Sequence, residues 1–473
     1  MKYPNFKYCL LMVSIAVALS FYGCSEGEDL YAIPEPEEQI TDNTKLILSL
    51  DTSIATNSRS VATESEGKAE ECSYNSLTLY ITNTNDEIEK AISFTDIANQ
   101  KSLIVLLDNQ GINFNESKHV YLVANPKEEL AGNIKEAIGK ISGISELTTD
   151  NEFLMFGQAE SENNKEIKFV KGSYISASVA LTRVVAKVLL TTEIQNGFVK
   201  NVEDGFIRQE NLRYTLQTTN SKFYYLPRAN NEDPNYAMNE LITKTGGSFG
   251  YVTGKKNDFL NRDRWNTDGT NGKAVTKYEA GRLEENSQNP YIDGLYCLEN
   301  TTSAIGNIEM NNAEKISAPK MVATYLRIAA KVIPNKIDGN TYTAATEAES
   351  KLAGNNGTFY TYLNAREEDK KMCYSSIETA KNILRSKGYT DLTNDSFKKH
   401  TEGWEYFDAY VNGQTFDASK SSLIRNTYYI SNITKIVVPL VEKTIEISTT
   451  VKGWVNKGTA HVDIPVAEGN NKQ

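Results

Sequence analysis

The sequence predicts a mainly β protein: two β-sandwich domains with a few short helices. Three observations carry that prediction. Apolar and polar residues alternate in many short runs, the two-residue period of half-buried strands. Tyrosine is abundant (26 residues), and Thr, Asn and Ser recur between the runs, which suits strands joined by polar turns. Apolar residues at helical spacing occur in only a few places. At 473 residues the chain is long enough for two or three ordinary domains.

Taken in order, Met1 to Lys7 is short and basic, and Leu10 to Phe21 is apolar but too short for a comfortable membrane span, so residues 1–23 read as a secretion signal. Residues 24–44 are acidic and Pro-containing, a tether with no periodic apolar face. Lys45 to Ile54 reads as a strand with Leu46, Leu48 and Leu50 in phase, and the polar stretch from Thr56 to Glu71 as an exposed loop. Strands follow at Ser76 to Thr82, Leu103 to Leu107 and His119 to Ala124. Pro126 to Ile141 has Leu130, Ile134, Ala137 and Ile138 on one helical face and predicts a helix. Further strands are predicted at Phe153 to Gly157, Ile167 to Phe169, Tyr174 to Leu190, Asn211 to Leu226, Leu295 to Leu298 and Met321 to Ile333. Ala229 to Asn289 is rich in Gly, Asn and charge; short helices are expected at Ala344 to Leu352 and Ser376 to Lys387.

The C-terminal end is the most informative. The run Arg425-Asn426-Thr427-Tyr428-Tyr429-Ile430 leads through Ile433, Ile436 and Val438 to Pro439, where a domain would normally finish. One more alternating run follows, with Ile445, Ile447, Thr449 and Val451 on one face and Glu446, Ser448, Thr450 and Lys452 on the other, ending at Trp454. A third run spans His461 to Val466. Such a segment fits either a terminal hairpin of its own domain or a strand added to another molecule's open sheet edge.

The net charge of −11 argues against nucleic acid as a partner. Beyond the signal and Cys24, only Cys72, Cys297 and Cys373 remain, which fits one bridge plus a free thiol or three buried thiols. Gly246-Gly247-Ser248-Phe249-Gly250 matches the nucleophile-elbow pattern, but the polar run before it and the lack of a helical face after it favour a glycine turn. His119, His400 and His461 are scattered and signal neither a metal site nor a triad; Glu70-Glu71 and Glu367-Glu368 read as solvated charge. The expectation is therefore no enzyme, no cofactor and no metal.

Gly23-Cys24 resembles the lipobox of bacterial lipoproteins, although Phe21 and Tyr22 stand where smaller or aliphatic residues are usual. That resemblance implies Cys24 as the lipidated first residue of the mature chain. Ser25-Glu26-Gly27-Glu28-Asp29 resembles the acidic tag that sends lipoproteins of the Bacteroidetes to the outer face of the outer membrane. Five further segments, in order, resemble the fimbrillin superfamily, the FimA-like and short-fimbria major subunits of type V pili. These are Gly67-Lys68-Ala69-Glu70-Glu71 before Leu77-Thr78-Leu79-Tyr80; Leu181-Thr182-Arg183-Val184-Val185-Ala186-Lys187-Val188; Tyr296-Cys297-Leu298-Glu299-Asn300, with Ala323-Thr324-Tyr325 soon after; Arg425-Asn426 with Tyr428 or Tyr429 and Ile433-Thr434-Lys435-Ile436; and Val451 to Trp454.

The resemblance implies transthyretin-like Greek-key sandwiches and a structural subunit of surface fimbriae that supports adhesion. It divides the chain into a signal (1–23), the tether (24–44), a strand and loop removed on maturation (45–59), an N-terminal sandwich (60–180), a C-terminal sandwich (181–440) and a donor segment (441–473). An Arg-specific protease would cut between Arg59 and Ser60, Arg59 being the only arginine between Cys24 and Arg183. The strand with Leu46, Leu48 and Leu50 would then leave, and Ile445, Ile447, Thr449, Val451 and Trp454 of another copy, or of a related subunit, would take its place. The expected location is an outer-membrane lipoprotein precursor exported to the cell surface, then the fimbrium. The competing expectation is a surface glycan-binding lipoprotein using Trp265, Trp404, Tyr224, Tyr225 or Tyr291 as sugar platforms.

Overall fold

The computed structural model describes residues 43–52, 64–66, 68–261, 272–278, 294–303, 311, 317–411, 416–417, 421–438 and 444–455. The fold is mainly β. No helix among these residues is long and apolar enough to cross a membrane.

Alternation in the first third builds strands β1 (Lys45–Asp51), β2 (Ser76–Thr82), β3 (Ile88–Thr95), β4 (Ser102–Leu106), β5 (Glu116–Ala124), β6 (Met155–Glu160) and β7 (Tyr174–Ala180). They form the path of a nine-stranded sheet in the order β3–β2–β5–β6–β7–β1–β4. The strand that comes first in sequence therefore lies inside the sheet, between strands that come much later. It runs parallel to β7, whereas every other pairing on this path is antiparallel. Leu46, Leu48, Leu77, Leu79, Leu103, Leu122 and Val179 meet in one apolar core.

The predicted run from Tyr174 to Leu190 is two long strands rather than one. At Leu181 to Val184 the chain crosses from the first sheet to a second, beginning at β8 (Val185–Thr192). The remaining long strands are β9 (Gly205–Gln217), β10 (Leu295–Leu298), β11 (Tyr325–Pro334), β12 (Trp404–Tyr410), β13 (Thr427–Val437) and β14 (Thr444–Val455). The second sheet has β14 on β13, β13 parallel to β8, and β10 antiparallel along the first half of β8. The third sheet pairs β9, β11 and β12. These two sheets share a core that includes Leu190, Tyr214, Ile328, Phe407, Ile433 and Ile436. A further apolar layer, with Tyr121, Val123, Phe156, Leu189, Phe223 and Ile430, joins the first sheet to the second.

Two helices form where periodicity placed them: α1 (Ala345–Leu352) and α2 (Ile377–Ser386), the latter capped by the Ser376 hydroxyl accepting from the Thr379 N–H at 3.1 Å. The helix predicted over 126–141 is absent. Only a 3₁₀ turn at Ile134–Glu136 remains, capped by Asn133, and Ile138–Lys140 is a strand paired with Lys222–Tyr224. Gly132 adopts a φ of +72°, which breaks a helix, and a Cβ at Gly139 would sit 2.3 Å from the Phe223 ring. Close approach of strand to ring wins over a marginal helical pattern. Ile138 is consequently exposed, not core.

Smaller outcomes are local. Gly246 and Gly247, at φ of +59° and +82°, form the two-residue turn of a hairpin in which Thr245 pairs with Ser248, so the elbow-like motif is a β-turn. Cys72, Cys297 and Cys373 are all buried free thiols, and burial pushes the Cys297 thiol up to about 12.

Candidate strand-exchange site

Every inward side chain of β1 is sealed. Leu46 and Leu48 are 0 % exposed and Leu50 is 8 % exposed, while the intervening residues face outward or are half-buried. Burying each leucine contributes ~1.5–3 kcal/mol before ordering costs. On one side Leu46, Leu48 and Leu50 pair with Ile175, Ala177 and Val179 of β7; on the other, Leu46 and Leu48 pair with Val105 and Leu103 of β4. The strand ends at Asp51, three residues short of the predicted Ile54, where the Asp51 carbonyl accepts from the Leu181 N–H at 2.7 Å.

A polar clamp holds the other end. Thr44 is fully buried; its N–H donates to Asp108 Oδ2 at 2.5 Å and its hydroxyl to Asp108 Oδ1 at 3.0 Å. The same hydroxyl accepts from the Gly172 N–H at 2.9 Å, and the Thr44 carbonyl accepts from the Leu107 N–H at 3.0 Å. Outside, the Lys45 ammonium stands 5.2 Å from the Tyr174 ring centroid, and Tyr174 is 44 % exposed.

Among the described residues, the terminal strand β14 pairs with β13 on one side along its length and on its other side only at Gly453 to Val455. Ile445 is buried, Ile447, Thr449 and Val451 are half-buried, and Glu446, Ser448 and Thr450 are exposed, matching the predicted faces. Thr449 Oγ1 meets Ser431 Oγ at 3.0 Å and donates to the Val411 carbonyl. The backbone of Trp454 continues the strand, and Gly453 to Val455 also pair with Glu64–Glu66, a short strand just after the expected cleavage point. Cys24, Arg59, Ser60, Trp265, Tyr291, Pro439 and the run from His461 to Val466 lie outside the described residues.

The five segments of the fimbrillin resemblance are far apart in sequence, and four of them converge at one buried polar node. Glu71 is buried, which corrects the reading of Glu70-Glu71 as solvated charge and of this stretch as wholly exposed loop. Its carboxylate pairs with Lys187 Nζ at 2.6 Å, accepts from the Lys68 N–H at 2.8 Å, and accepts from the Tyr296 hydroxyl. Arg183 donates to the Glu71 carbonyl at 2.8 Å and to Asn426 Oδ1 at 3.0 Å, and touches Cys72 Sγ. Lys187 also faces the Tyr428 ring at 5.0 Å. Burial pushes its ammonium down to about 8 even though Glu71 opposes the shift. Beside the node, Arg425 donates to Glu299 at 3.0 Å and to the Tyr225 carbonyl at 3.1 Å.

Glu367 and Glu368 are exposed, as expected. His119 is held by Asp86 at 2.7 Å, and His400 is buried between Glu405 and Thr361. Sequence reading missed the node because adjacent acids reveal nothing about a partner over a hundred residues away. Of the aromatics named as sugar platforms, Tyr225 is buried, Tyr224 lies 4.2 Å beneath the Arg228 guanidinium and Trp404 is half-buried.

No family model matches the chain, and no curated protein matches it. Among solved structures it is similar to a fimbrilin, FimA, from Porphyromonas gingivalis W83, at 13 % identity and a TM-score of 0.42, covering 89 % of this chain and 100 % of that one. A fimbrial assembly protein from Parabacteroides distasonis ATCC 8503 is similar at 12 % identity and a TM-score of 0.26, over 46 % of this chain and 75 % of that one. The tip fimbrial protein Mfa3 from Porphyromonas gingivalis, with a C-terminal truncation, is similar at 11 % identity and a TM-score of 0.34, covering 87 % of this chain and 100 % of that one. The structures similar to this chain over most of its length include fimbrial proteins and putative cell adhesion proteins.

Proposed function

We propose that the chain is a structural subunit of surface fimbriae, a pilin without catalytic activity, made as a lipid-anchored precursor and polymerised by strand exchange. The observation that carries this reading is β1: a sealed interior strand whose covalent link to the body runs through the segment containing Arg59. A cut there turns β1 into a separate peptide that keeps Cys24, and so the lipid. Departure of that peptide would leave two strands, β7 and β4, each with an open edge and a row of leucine-sized vacancies. Unpaired backbone groups in a buried groove cost about 1–3 kcal/mol each, so an emptied groove favours any strand that fits.

The alternating face of β14 supplies such a strand, and from Thr444 to Lys452 it pairs with β13 alone among the described residues, a stretch from which it can peel. The partners are other copies of the chain, related fimbrial subunits and an Arg-specific protease; the location is the outer membrane and then the cell-surface fimbrium, where the assembled subunit supports adhesion.

The test is an unheated detergent gel of protein lacking the signal, before and after brief Arg-specific cleavage. The expected result is a ladder of multimers that needs a cut mapped to Arg59 and is absent when the chain stops at Val441. A clean monomer after that cut would overturn the reading and bring glycan binding forward.

A further inference from the structure

The face of the first sheet that packs toward the second is apolar at its centre, where Val123 and Phe156 join the connecting layer. Two residues further along β5 and β6 the same face turns polar. There His119 and Gln158 line a cleft of about 750 Å³, with Leu226 and Pro227 as apolar lining. Small-ligand sites span roughly 300–1,000 Å³, so the cleft has the size of one. Tyr224, Tyr225 and Trp404, expected from the sequence as sugar platforms, do not line it.

The polar groups of the cleft are held in place from behind by Asp86. Its buried carboxylate accepts from His119 Nδ1 at 2.7 Å, from the Tyr121 hydroxyl at 2.5 Å and from Lys135 Nζ at 2.5 Å. A carboxylate only accepts, so His119 Nδ1 carries a proton and Nε2 of the neutral ring is left as an acceptor. The Tyr121 hydroxyl in turn accepts from Gln158 Nε2 at 3.1 Å, which fixes that carboxamide and leaves its oxygen to accept. Asn164 is fixed the other way round: its Oδ1 accepts from the Glu166 N–H at 3.0 Å, so its NH2 is left to donate. The cleft thus offers fixed acceptors and a fixed donor before any ligand arrives.

Charge and topology narrow the class of ligand. Lys135 is paired with Asp86, Lys165 stands 3.9 Å from Glu160, and Glu166 lines the same cleft. An anion would meet ammonium groups already paired with carboxylates. For a metal ion, no group of three or more His, Cys, Asp or Glu side chains comes together among the described residues. A peptide added as a strand needs an open edge, yet β6 pairs with β5 on one side and with β7 and Thr182–Arg183 on the other. What fits is a neutral ligand whose groups both donate and accept, the property of hydroxyls. Sugars combine such hydroxyls with C–H faces that rest on apolar surface, here Leu226 and Pro227.

We propose that this cleft binds the end of an uncharged glycan, with His119, Gln158 and Asn164 contacting its hydroxyls and Asp86 as the positioning residue behind them. No lining residue belongs to β1 or β14, so the site stands independently of strand exchange.

Saturation-transfer NMR on the full secreted chain, uncut, tests it with the methyl glycosides of galactose, mannose and N-acetylglucosamine. Transfer to at least one of them is expected. Gln158→Ala and Asn164→Ala are each expected to weaken that binding about tenfold, the loss of roughly one hydrogen bond. An unchanged melting temperature shows that the variants fold; Asn164 is exposed, so its substitution leaves the core untouched. No transfer to any of the three glycosides overturns the proposal. Binding that survives both substitutions places the sugar elsewhere and overturns the site. Transfer to acetyl-trialanine amide in place of the glycosides makes the ligand a peptide and overturns the sugar reading. Because the chain is uncut, none of these results bears on polymerisation.

Discussion

At the scale of single residues, the Glu71–Lys187 pair shows why a sequence charge cannot be assigned to solvent by its neighbours. Both groups are sealed, so each is tolerable only through the other. Glu71→Leu is expected to destabilise the protein by about 3–5 kcal/mol, because it strands a buried ammonium. The double variant with Lys187→Met should recover most of that loss, measured by urea denaturation. The pH dependence has a definite sign. The Lys187 ammonium titrates near 8 in the folded protein, against 10.5 for the unfolded chain. Between those values the unfolded state holds the extra proton, so stability rises with pH across that window. Relative to Lys187→Met, the parent should gain on the order of 2–3 kcal/mol from pH 8 to 10.5, read as a shift in urea midpoint.

At the scale of elements, the proposed function makes β1 a removable part of a core. Leu48→Ala is expected to cost the uncut precursor about 2–5 kcal/mol. The same substitution should leave the stability of the cut multimer unchanged, since that strand has gone. Thermal melting of both species checks the pair of outcomes, and an equal loss in both would show that β1 stays in place. Much of this element was legible beforehand. Leu46, Leu48 and Leu50 are in phase, and so are Ile445, Ile447, Thr449 and Val451, because strand alternation is a local property. The 126–141 helix was misread for the complementary reason. Its apolar spacing is helical, but Gly132 and Gly139 serve contacts with Ile88 and Phe223 that spacing does not reveal.

At the scale of the whole molecule, the proposed cut does two things at once: it empties the groove and separates the body from the lipid-bearing peptide. Arg59→Ala is therefore expected to keep the protein with the membrane fraction and abolish the multimer ladder together, checked by fractionation and an unheated gel. Release without cleavage would break that link.

The β class, the alternation of the first and last strands, the glycine turn at Gly246-Gly247 and the two short helices were all legible in the residues alone, because each follows from contacts within a few residues. It takes the folded chain to place the first strand between β7 and β4, to bury Glu71 against Lys187 and to bring four separated motifs to one node. Those facts depend on pairings across more than fifty residues, and for β7 and for Glu71 with Lys187 across more than one hundred. An alternating strand specifies which face it buries, but not which neighbours will cover it.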